Sequence, residues 1–191
     1  MRVNIIGEYG YDQALYALGL SHGLTSNMQF HEYMINTPLK QKLFDISTKL
    51  YNKDGGHNKF LESIVMWLDV TAPRYFWSEA DTYRVGCTKQ SESTMHTIMK
   101  QPISQYMFES NISDKILEQL EELRLNNDFI GLKNNLPEGF LQRRVWSLNY
   151  MVLRNILCQR KRHKLYQWRQ FCGYIINYAQ HNIYFKDIKE V

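Results

Sequence analysis

Residues 145–160 read Val-Trp-Ser-Leu-Asn-Tyr-Met-Val-Leu-Arg-Asn-Ile-Leu-Cys-Gln-Arg, an apolar segment interrupted by a few polar side chains. The spacing of apolar residues is helical from Arg144 to Ala179, which predicts two helices divided near residues 161–164. At about 100° per residue, Asn149 and Arg160 lie within about 20° of each other on one helix. An amide and a guanidinium among leucines and isoleucines face either solvent or a polar ligand.

The chain before this segment alternates short β-prone runs with amphipathic stretches. Runs rich in β-branched and aromatic residues predict strands at residues 3–7 and 63–70. Helical spacing predicts helices that start at Tyr11, at Thr37-Pro38 and after Ser113, whose polar side chain caps the last of them. We therefore predict an α+β fold dominated by helices, formed as a single domain over residues 1–191.

The composition is that of a globular protein. Hydrophobic residues make up 44% of the 191-residue chain and aromatic residues 14%, which excludes disordered and collagen-like classes. No apolar run reaches the roughly 18–20 residues of a membrane-spanning helix, and the N-terminus lacks the apolar core of a signal peptide. Three cysteines without CxxC spacing exclude a disulfide framework and a zinc ribbon. We expect a cytoplasmic protein with no membrane contact and no bound metal.

Positive charge is concentrated near the C-terminus. The chain has 23 Lys and Arg against 19 Asp and Glu, a net charge of +4, and residues 141–191 hold ten basic and two acidic side chains. The densest run is Arg160-Lys161-Arg162-His163-Lys164. Such a run is either a solvated helix face or a surface for phosphate, on a nucleotide or on a nucleic acid. Because aromatic and basic residues do not interleave on a recognisable platform, the nucleic-acid interpretation is the weakest.

The local motifs of common enzyme classes are absent. The chain contains no GxGxxG, Walker, HExxH or GxSxG sequence, so an active site has to be assembled from scattered residues. Polar residues interrupt apolar elements in four segments: 56–62, 81–93, 133–137 and the predicted helix at 149–160. Each also has a plain structural interpretation, as a surface loop, a turn, a structural histidine or a solvated helix face.

Taken together, these four segments resemble the flavin-dependent thymidylate synthases, the ThyX-type family. The C-terminal part follows the family pattern without a gap up to Arg160, and one extra residue then precedes Gln167-Trp168. The matching residues there are Leu136-Pro137, Trp146-Ser147-Leu148-Asn149, Asn155-Ile156-Leu157 and Arg160. Upstream, Gly56-His57 with Phe60 and Glu62 is similar to the family's GH…FEH segment, and Arg84 corresponds to the last arginine of the RHR core of its signature.

The chain departs from the family at several charged positions. Thr82 and Tyr83 stand where the signature has an arginine and a histidine, and Thr94-Met95 stands in place of its closing arginine-tyrosine pair. The remaining differences are Cys87 and Glu92 for serines, Lys89-Gln90 for Asn-Glu, Glu79 for glutamine, and Met151 and Lys133 for arginines. Lys133 keeps the charge of an arginine without its two-pronged geometry.

The resemblance implies a ThyX-like fold with a small central antiparallel sheet, assembled as a homotetramer whose subunits share the flavin and dUMP sites across their interfaces. It implies FAD as hydride carrier, NADPH and methylenetetrahydrofolate as co-substrates, and dUMP or a related pyrimidine nucleotide as substrate. By the same resemblance, His57, Arg84, Asn149 and Asn155 contact flavin. Glu79, Gln90, Glu92, Lys133 and Arg160 contact the nucleotide, and Arg160 also acts in catalysis at the uracil edge. The alternative is a ThyX-fold protein that binds a pyrimidine nucleotide without turnover or modifies a different base.

Overall fold

The computed structural model describes residues 1–188. Within them, β1 (Arg2–Tyr9), β2 (Val65–Pro73), β3 (Cys87–Ser91) and β4 (Leu141–Asn149) form an antiparallel sheet in the order β1-β2-β4-β3. The α-helices are α1 (Tyr11–Leu20), α2 (Phe30–Ile35), α3 (Thr37–Leu50), α4 (Arg74–Ala80), α5 (Thr94–Thr97), α6 (Asp114–Leu125), α7 (Phe129–Asn135), α8 (Tyr150–Arg160) and α9 (Tyr166–Tyr178). Short 3-10 helices span Lys59–Ser63, Gln105–Met107 and Asn182–Phe185. The predicted helix-dominated α+β class with a small antiparallel sheet is confirmed.

Strand β2 illustrates why these residues form a sheet. Its side chains alternate, so that Met66, Leu68 and Val70 are fully buried while Trp67 between them is exposed. This period of two is the pattern of a strand with one face on the core. The strand runs a few residues beyond the predicted 63–70 and ends at Pro73, which has no N–H to donate to a ladder.

The helix predicted from Arg144 begins only at Tyr150, because residues 141–149 form strand β4. In β4 the core-facing side chains are Trp146 and Leu148, again at a spacing of two. A short apolar run fits a buried strand and a buried helix equally well by periodicity, which is why the prediction was wrong here. The predicted division near residues 161–164 is correct, since α8 ends at Arg160 and α9 starts at Tyr166.

Two helix starts differ from the predictions in detail. The sequence predicts Thr37 as the cap of α3 and Pro38 as its first helical residue. In the structure α3 begins at Thr37 and its cap is Asn36, whose side-chain oxygen accepts a hydrogen bond from the Leu39 N–H at 3.1 Å. Ser113 occupies the cap position of α6 without a side-chain capping hydrogen bond. At the start of α3, the side chains of asparagine and threonine can both accept hydrogen bonds from N–H groups of the first turn. The sequence Asn-Thr-Pro therefore does not determine which of the two residues is the cap.

The described chain divides into two compact units, each built from separate stretches of sequence. Unit 1 comprises residues 1–4, 69–83 and 89–146, and unit 2 comprises residues 5–68, 84–88 and those from Ser147 onward. The single-domain organisation therefore stays a prediction. In unit 1, a cluster of buried apolar side chains underlies α5, α6 and α7: Ile98, Ile103, Phe108, Leu120, Leu132, Leu136 and Phe140.

The core of unit 2 is rich in aromatic side chains. Tyr184 is fully buried, its ring lies 5.6 Å from that of Phe60, and its hydroxyl oxygen lies 2.7 Å from the Ser47 hydroxyl. Near it, Arg154 forms a two-pronged ion pair with Asp187 at 2.7–2.8 Å. These contacts fix the segment that follows α9 to the core of unit 2. Within residues 1–188, none of the helices has the length and apolar character needed to cross a membrane.

Candidate functional site

Unit 1 contains a cavity of about 530 Å³ at the surface around α5. This volume is within the range of small-molecule binding sites, which is roughly 300–1,000 Å³. Apolar side chains such as Ile98 and Phe140 form part of its wall. Its polar side chains are four hydroxyls, two amides, a guanidinium and a carboxylate, contributed by Thr71, Thr94, Thr97, Tyr106, Gln101, Gln142, Arg2 and Glu92.

Of the residues that the sequence analysis assigned to the nucleotide, Glu92 lines this cavity and Lys133 contacts a residue of its wall. Glu92 lies in the wall, directly after β3. Lys133, on α7, donates a hydrogen bond from Nζ to Oγ1 of Thr94 at 2.7 Å, and Thr94 lines the cavity. Burial lowers the pKa of Lys133, and the positive charge of Arg74 lowers it further.

Two other residues with the same assignment do not line the cavity. Gln90 is exposed on β3, and Glu79 is half-buried on α4.

A main-chain hydrogen bond fixes the backbone at Glu92, whose N–H donates to the Arg143 carbonyl at 2.9 Å. The negative charge of Glu92 also raises the pKa of Arg143, although the hydrogen bond to Asp69 is the larger cause.

A smaller recess of about 310 Å³ adjoins the open face of the sheet in unit 1. Arg143 and Asp69 form a two-pronged ion pair across β2 and β4, with nitrogen–oxygen distances of 2.8 and 2.6 Å. These hydrogen bonds hold the pKa of Asp69 below its ordinary value. Arg2 lines both this recess and the larger cavity, and its side chain makes no hydrogen bond or ion pair with another residue of the described chain.

Unit 2 contains a larger cavity, of about 1090 Å³, between α1 and the segment after α3. Its floor is aliphatic, with Leu18 and Leu50 among the contributors, and its rim carries His57, His22 and Lys59. His57 was assigned to flavin by resemblance, and of the four residues so assigned it alone lines this cavity.

Two more of the flavin assignments meet at the N-terminus of α8. Asn149 caps this helix, since its side-chain oxygen accepts from the Val152 N–H at 2.9 Å, and its own N–H donates to the Gly86 carbonyl at 3.2 Å. Gly86 has φ of +67°, and a Cβ there would lie 2.9 Å from Nδ2 of Asn149, so the turn requires glycine. Arg84 is exposed two residues earlier.

Because Asn149 has an extended conformation, with φ −82° and ψ 164°, it stands outside the helix. The helical-wheel argument that placed it beside Arg160 on one face therefore does not apply. Asn155, the fourth flavin assignment, is exposed in the middle of α8.

Arg160 is the last residue of α8, and its guanidinium lies over the ring of Trp168 at 5.0 Å. Trp168 is fully buried, while Arg160 is half-buried. A cation over an indole face gains electrostatic attraction, and a positive charge in the last turn opposes the helix dipole. The arrangement fixes a planar set of donors at the surface of unit 2.

The residues of unit 2 fit a flavin nucleotide in chemical character. A flavin combines a planar, largely apolar ring system with an anionic diphosphate. The cavity provides an aliphatic floor with the imidazole of His57 and the ammonium group of Lys59 at its rim. Arg84 adds an exposed guanidinium in the same unit.

The structure brings further residues to the unit 1 cavity that were not assigned to a site. Thr94 was noticed only as a departure from the family signature, and its contact with Lys133 joins residues 39 apart in sequence. Arg2, Gln101 and Gln142 carry no sequence signal, because isolated polar residues on strands and loops have no characteristic spacing.

Comparison with solved structures shows which known proteins this chain is similar to in fold. A ThyX thymidylate synthase from Helicobacter pylori, crystallised with FAD and dUMP, superposes with a TM-score of 0.75 and 17% identity, over 98% of this chain and 99% of that one. A second structure of the Helicobacter pylori ThyX, also complexed with FAD and dUMP, gives a TM-score of 0.74 at 16% identity over the full length of both chains.

This chain has the ThyX fold. It is also similar to the UMP/dUMP methylase PolB from Streptomyces cacaoi, bound with 5-Br dUMP, at a TM-score of 0.63 and 11% identity over 92% of this chain and 88% of that one. No protein-family model matches the chain, and no curated protein matches it by sequence. The similarity that the sequence analysis inferred from scattered motifs is therefore confirmed at the level of fold.

Proposed function

We propose that this protein is a flavin-dependent enzyme of the ThyX type that methylates dUMP or a closely related uridine nucleotide. Methylenetetrahydrofolate is the one-carbon donor and NADPH the reductant, and the active form is a homotetramer. The observation that carries the proposal is the superposition over almost the whole chain on proteins crystallised with FAD and dUMP. The cavities of units 1 and 2, which contain residues assigned from the sequence, support it.

Each assigned residue has a role in this proposal that its chemistry allows. FAD, when bound, supplies the hydride-transfer chemistry. His57 and Asn155 hold the flavin, Arg84 neutralises its phosphates, and Asn149 offers the amide hydrogens left over from capping α8.

In unit 1, Lys133, Gln90, Glu79 and Glu92 are the proposed contacts to the nucleotide. In the homotetramer, whose subunits share the nucleotide site, Arg160 is the proposed contact to the uracil edge, where a fixed guanidinium stabilises negative charge that develops on the ring oxygens.

A second candidate is a relative that binds a pyrimidine nucleotide without turnover, or modifies a different pyrimidine. It is favoured by the changed charge of the site, since the Glu92 carboxylate in the cavity wall stands where the family signature has a serine. Thr82 and Thr94 also remove positive charge that the family signature has at these positions.

Three measurements separate the candidates. The visible absorption spectrum of the purified protein shows whether flavin is bound in stoichiometric amount, and titration of the flavin-free protein with FAD gives its affinity. Formation of thymidylate from dUMP with methylenetetrahydrofolate and NADPH tests the full proposal. Flavin binding and dUMP binding without product would favour the second candidate, and absence of both would exclude the two.

A further inference from the structure

The loop between α8 and α9 carries basic side chains to which the proposed function gives no role. Arg162 and Lys164 are exposed in it, and neither side chain forms an ion pair with another residue of the described chain. Arg169, also exposed, follows in the first turn of α9. From residue 141 to residue 186 every charged side chain is positive, so this segment supplies no carboxylate to neutralise them.

Hydrogen bonds tie this loop to the helices on either side of it. The Arg169 guanidinium donates to the His163 carbonyl at 2.9 Å and to the Lys164 carbonyl at 3.4 Å. The same guanidinium lies 5.5 Å from the centre of the Tyr166 ring. On the other side, the His163 N–H donates to the Arg160 carbonyl at 3.0 Å. The backbone that presents the basic side chains is therefore already ordered, which lowers the entropic cost of binding a ligand.

The loop starts directly after Arg160, the residue proposed to contact the uracil edge. In the proposed function, the folate brings its transferred carbon to the same uracil ring, and the glutamyl end of the folate begins one p-aminobenzoyl group away from that carbon. Because Arg160 and the loop are consecutive in one chain, the loop accompanies Arg160 into whichever nucleotide site it enters. Carboxylates that extend the folate at its glutamyl end are therefore attracted by the cations of the loop.

The extent of the positive charge suits a short chain of carboxylates better than a nucleic acid. The other parts of unit 2, residues 5–68 and 84–88, hold six acidic and six basic side chains, so its excess positive charge belongs to the segment that contains the loop. Even a single nucleic-acid-binding module buries roughly 600–1,000 Å² of positively charged surface. A flexible tail of a few γ-linked glutamates needs only one cation for each carboxylate.

We propose that the α8–α9 loop binds the poly-γ-glutamyl tail of the folate co-substrate through Arg162, Lys164 and Arg169. This inference rests on the proposed function and narrows its one-carbon donor to the polyglutamylated form. No bond is made or broken at this surface, and the cations act by raising the affinity for the folate. Each pair of exposed charges contributes little and is screened by salt, so the effect comes from several pairs together.

Calorimetric titration with tetrahydrofolate that carries one or five glutamates, in the presence of FAD and dUMP, tests the proposal without turnover. The pentaglutamate should bind the wild type about 5- to 20-fold more tightly than the monoglutamate at low salt, and the ratio should fall at high salt. Combining Arg162→Gln with Lys164→Gln should remove most of this ratio and leave the affinity for the monoglutamate unchanged. Arg169 is kept in this loop variant because it also holds the loop backbone.

The matched control combines Lys42→Gln with Lys49→Gln, which removes two exposed positive charges from α3 of the same unit. It should keep the preference for the pentaglutamate. Thymidylate formation gives a second readout: with the pentaglutamate of methylenetetrahydrofolate, the loop variant should show a raised KM and an unchanged kcat, and with the monoglutamate both should stay as in the wild type.

Equal affinity of the wild type for the two folates, or a preference for the pentaglutamate that survives in the loop variant, would overturn this inference and leave the proposed function standing. If dUMP bound and neither folate did, the inference would fail together with the folate chemistry of the proposed function. Oligodeoxyadenylate that bound more tightly than the pentaglutamate, with a loss in the loop variant, would overturn the tail in favour of the nucleic-acid interpretation.

Discussion

Glu92 puts a negative charge in the wall of the cavity that is proposed to hold a nucleotide phosphate. Its side chain is exposed and lies in the field of Arg143, so the repulsion of a phosphate is partly screened. We expect Glu92→Gln to strengthen dUMP binding by about threefold to tenfold at low salt, with a smaller gain at high salt.

Calorimetric titrations at two salt concentrations measure this effect. Glu118→Gln, an exposed substitution on α6 in the same unit, is the control for a general change in net charge. Equal gains in both variants would show a general charge effect in place of a local repulsion, and a weaker affinity in Glu92→Gln would show that the proposed contact of Glu92 with the nucleotide is favourable.

Arg160 and Lys164 lie four residues apart in the basic run but have different surroundings. Arg160 is half-buried over Trp168, whereas Lys164 is exposed. If Arg160 contacts the uracil, Arg160→Ala should weaken dUMP binding about 10- to 100-fold, and Lys164→Ala by less than about twofold. Thermal denaturation of both variants checks that the loss of packing on Trp168 is not responsible. Equal losses with a steep salt dependence would favour the nucleic-acid interpretation.

Single residues could be assigned to a site from the sequence only where they belong to a motif. Asn149 and Arg160 were assigned because they belong to a spaced pattern, and their roles stay predictions; the conformation of Asn149 as a helix cap was not foreseen. The contact between Lys133 and Thr94 could not be found in this way, because it depends on how α5 and α7 pack.

Among the secondary-structure elements, long amphipathic segments were predicted best. Helices α3 and α6 have apolar residues at helical spacing over three turns or more, which fixes both their type and their place. Strand β4 was taken as helix because its apolar side chains continue without a break into α8. Strand β3 lies in a polar segment and was not predicted, since only its pairing with β4 makes it a strand.

Helix α6 is joined to the preceding loop by a carboxylate. Glu121 accepts hydrogen bonds from Arg124 Nε at 2.8 Å and from the Ile103 N–H at 2.9 Å. The hydrogen bond from Arg124 is the main cause that lowers the pKa of Glu121 to about 2, from an ordinary value of 4.5. A carboxyl group whose pKa is lowered by folding stabilises the protein above its unfolded pKa, and the stabilisation is lost as the pH falls through the folded pKa.

We therefore expect Glu121→Gln to reduce the free energy of unfolding at neutral pH. The difference from wild type should stay constant down to about pH 4.5 and shrink as the pH falls towards about 2. Urea denaturation at several pH values measures it, with the exposed neighbour Glu122→Gln as control. A difference independent of pH would show that the carboxylate charge does not contribute.

The whole molecule has the same fold as proteins with which it shares very little sequence identity. At 17% identity, the superposition covers 98% of the chain. Cores tolerate extensive exchange among apolar residues when the pattern and the volume are kept, so the fold does not require matching residues.

The remaining prediction concerns assembly. Ile6 and Trp67 lie in the parts of the neighbouring strands β1 and β2 that belong to unit 2, and they are 51% and 39% exposed. Large apolar side chains left exposed on neighbouring strands are candidates for an interaction surface, and the proposed function requires several copies of the chain. We expect light scattering to show a homo-oligomer at micromolar concentration and Trp67→Glu to shift it towards smaller species.

The control is Leu125→Glu, which changes a 69% exposed leucine at the end of α6 and should leave the assembly intact. A wild-type protein with the mass of a single chain would exclude sites shared between subunits, and dissociation by both substitutions would show that the effect comes from added charge alone.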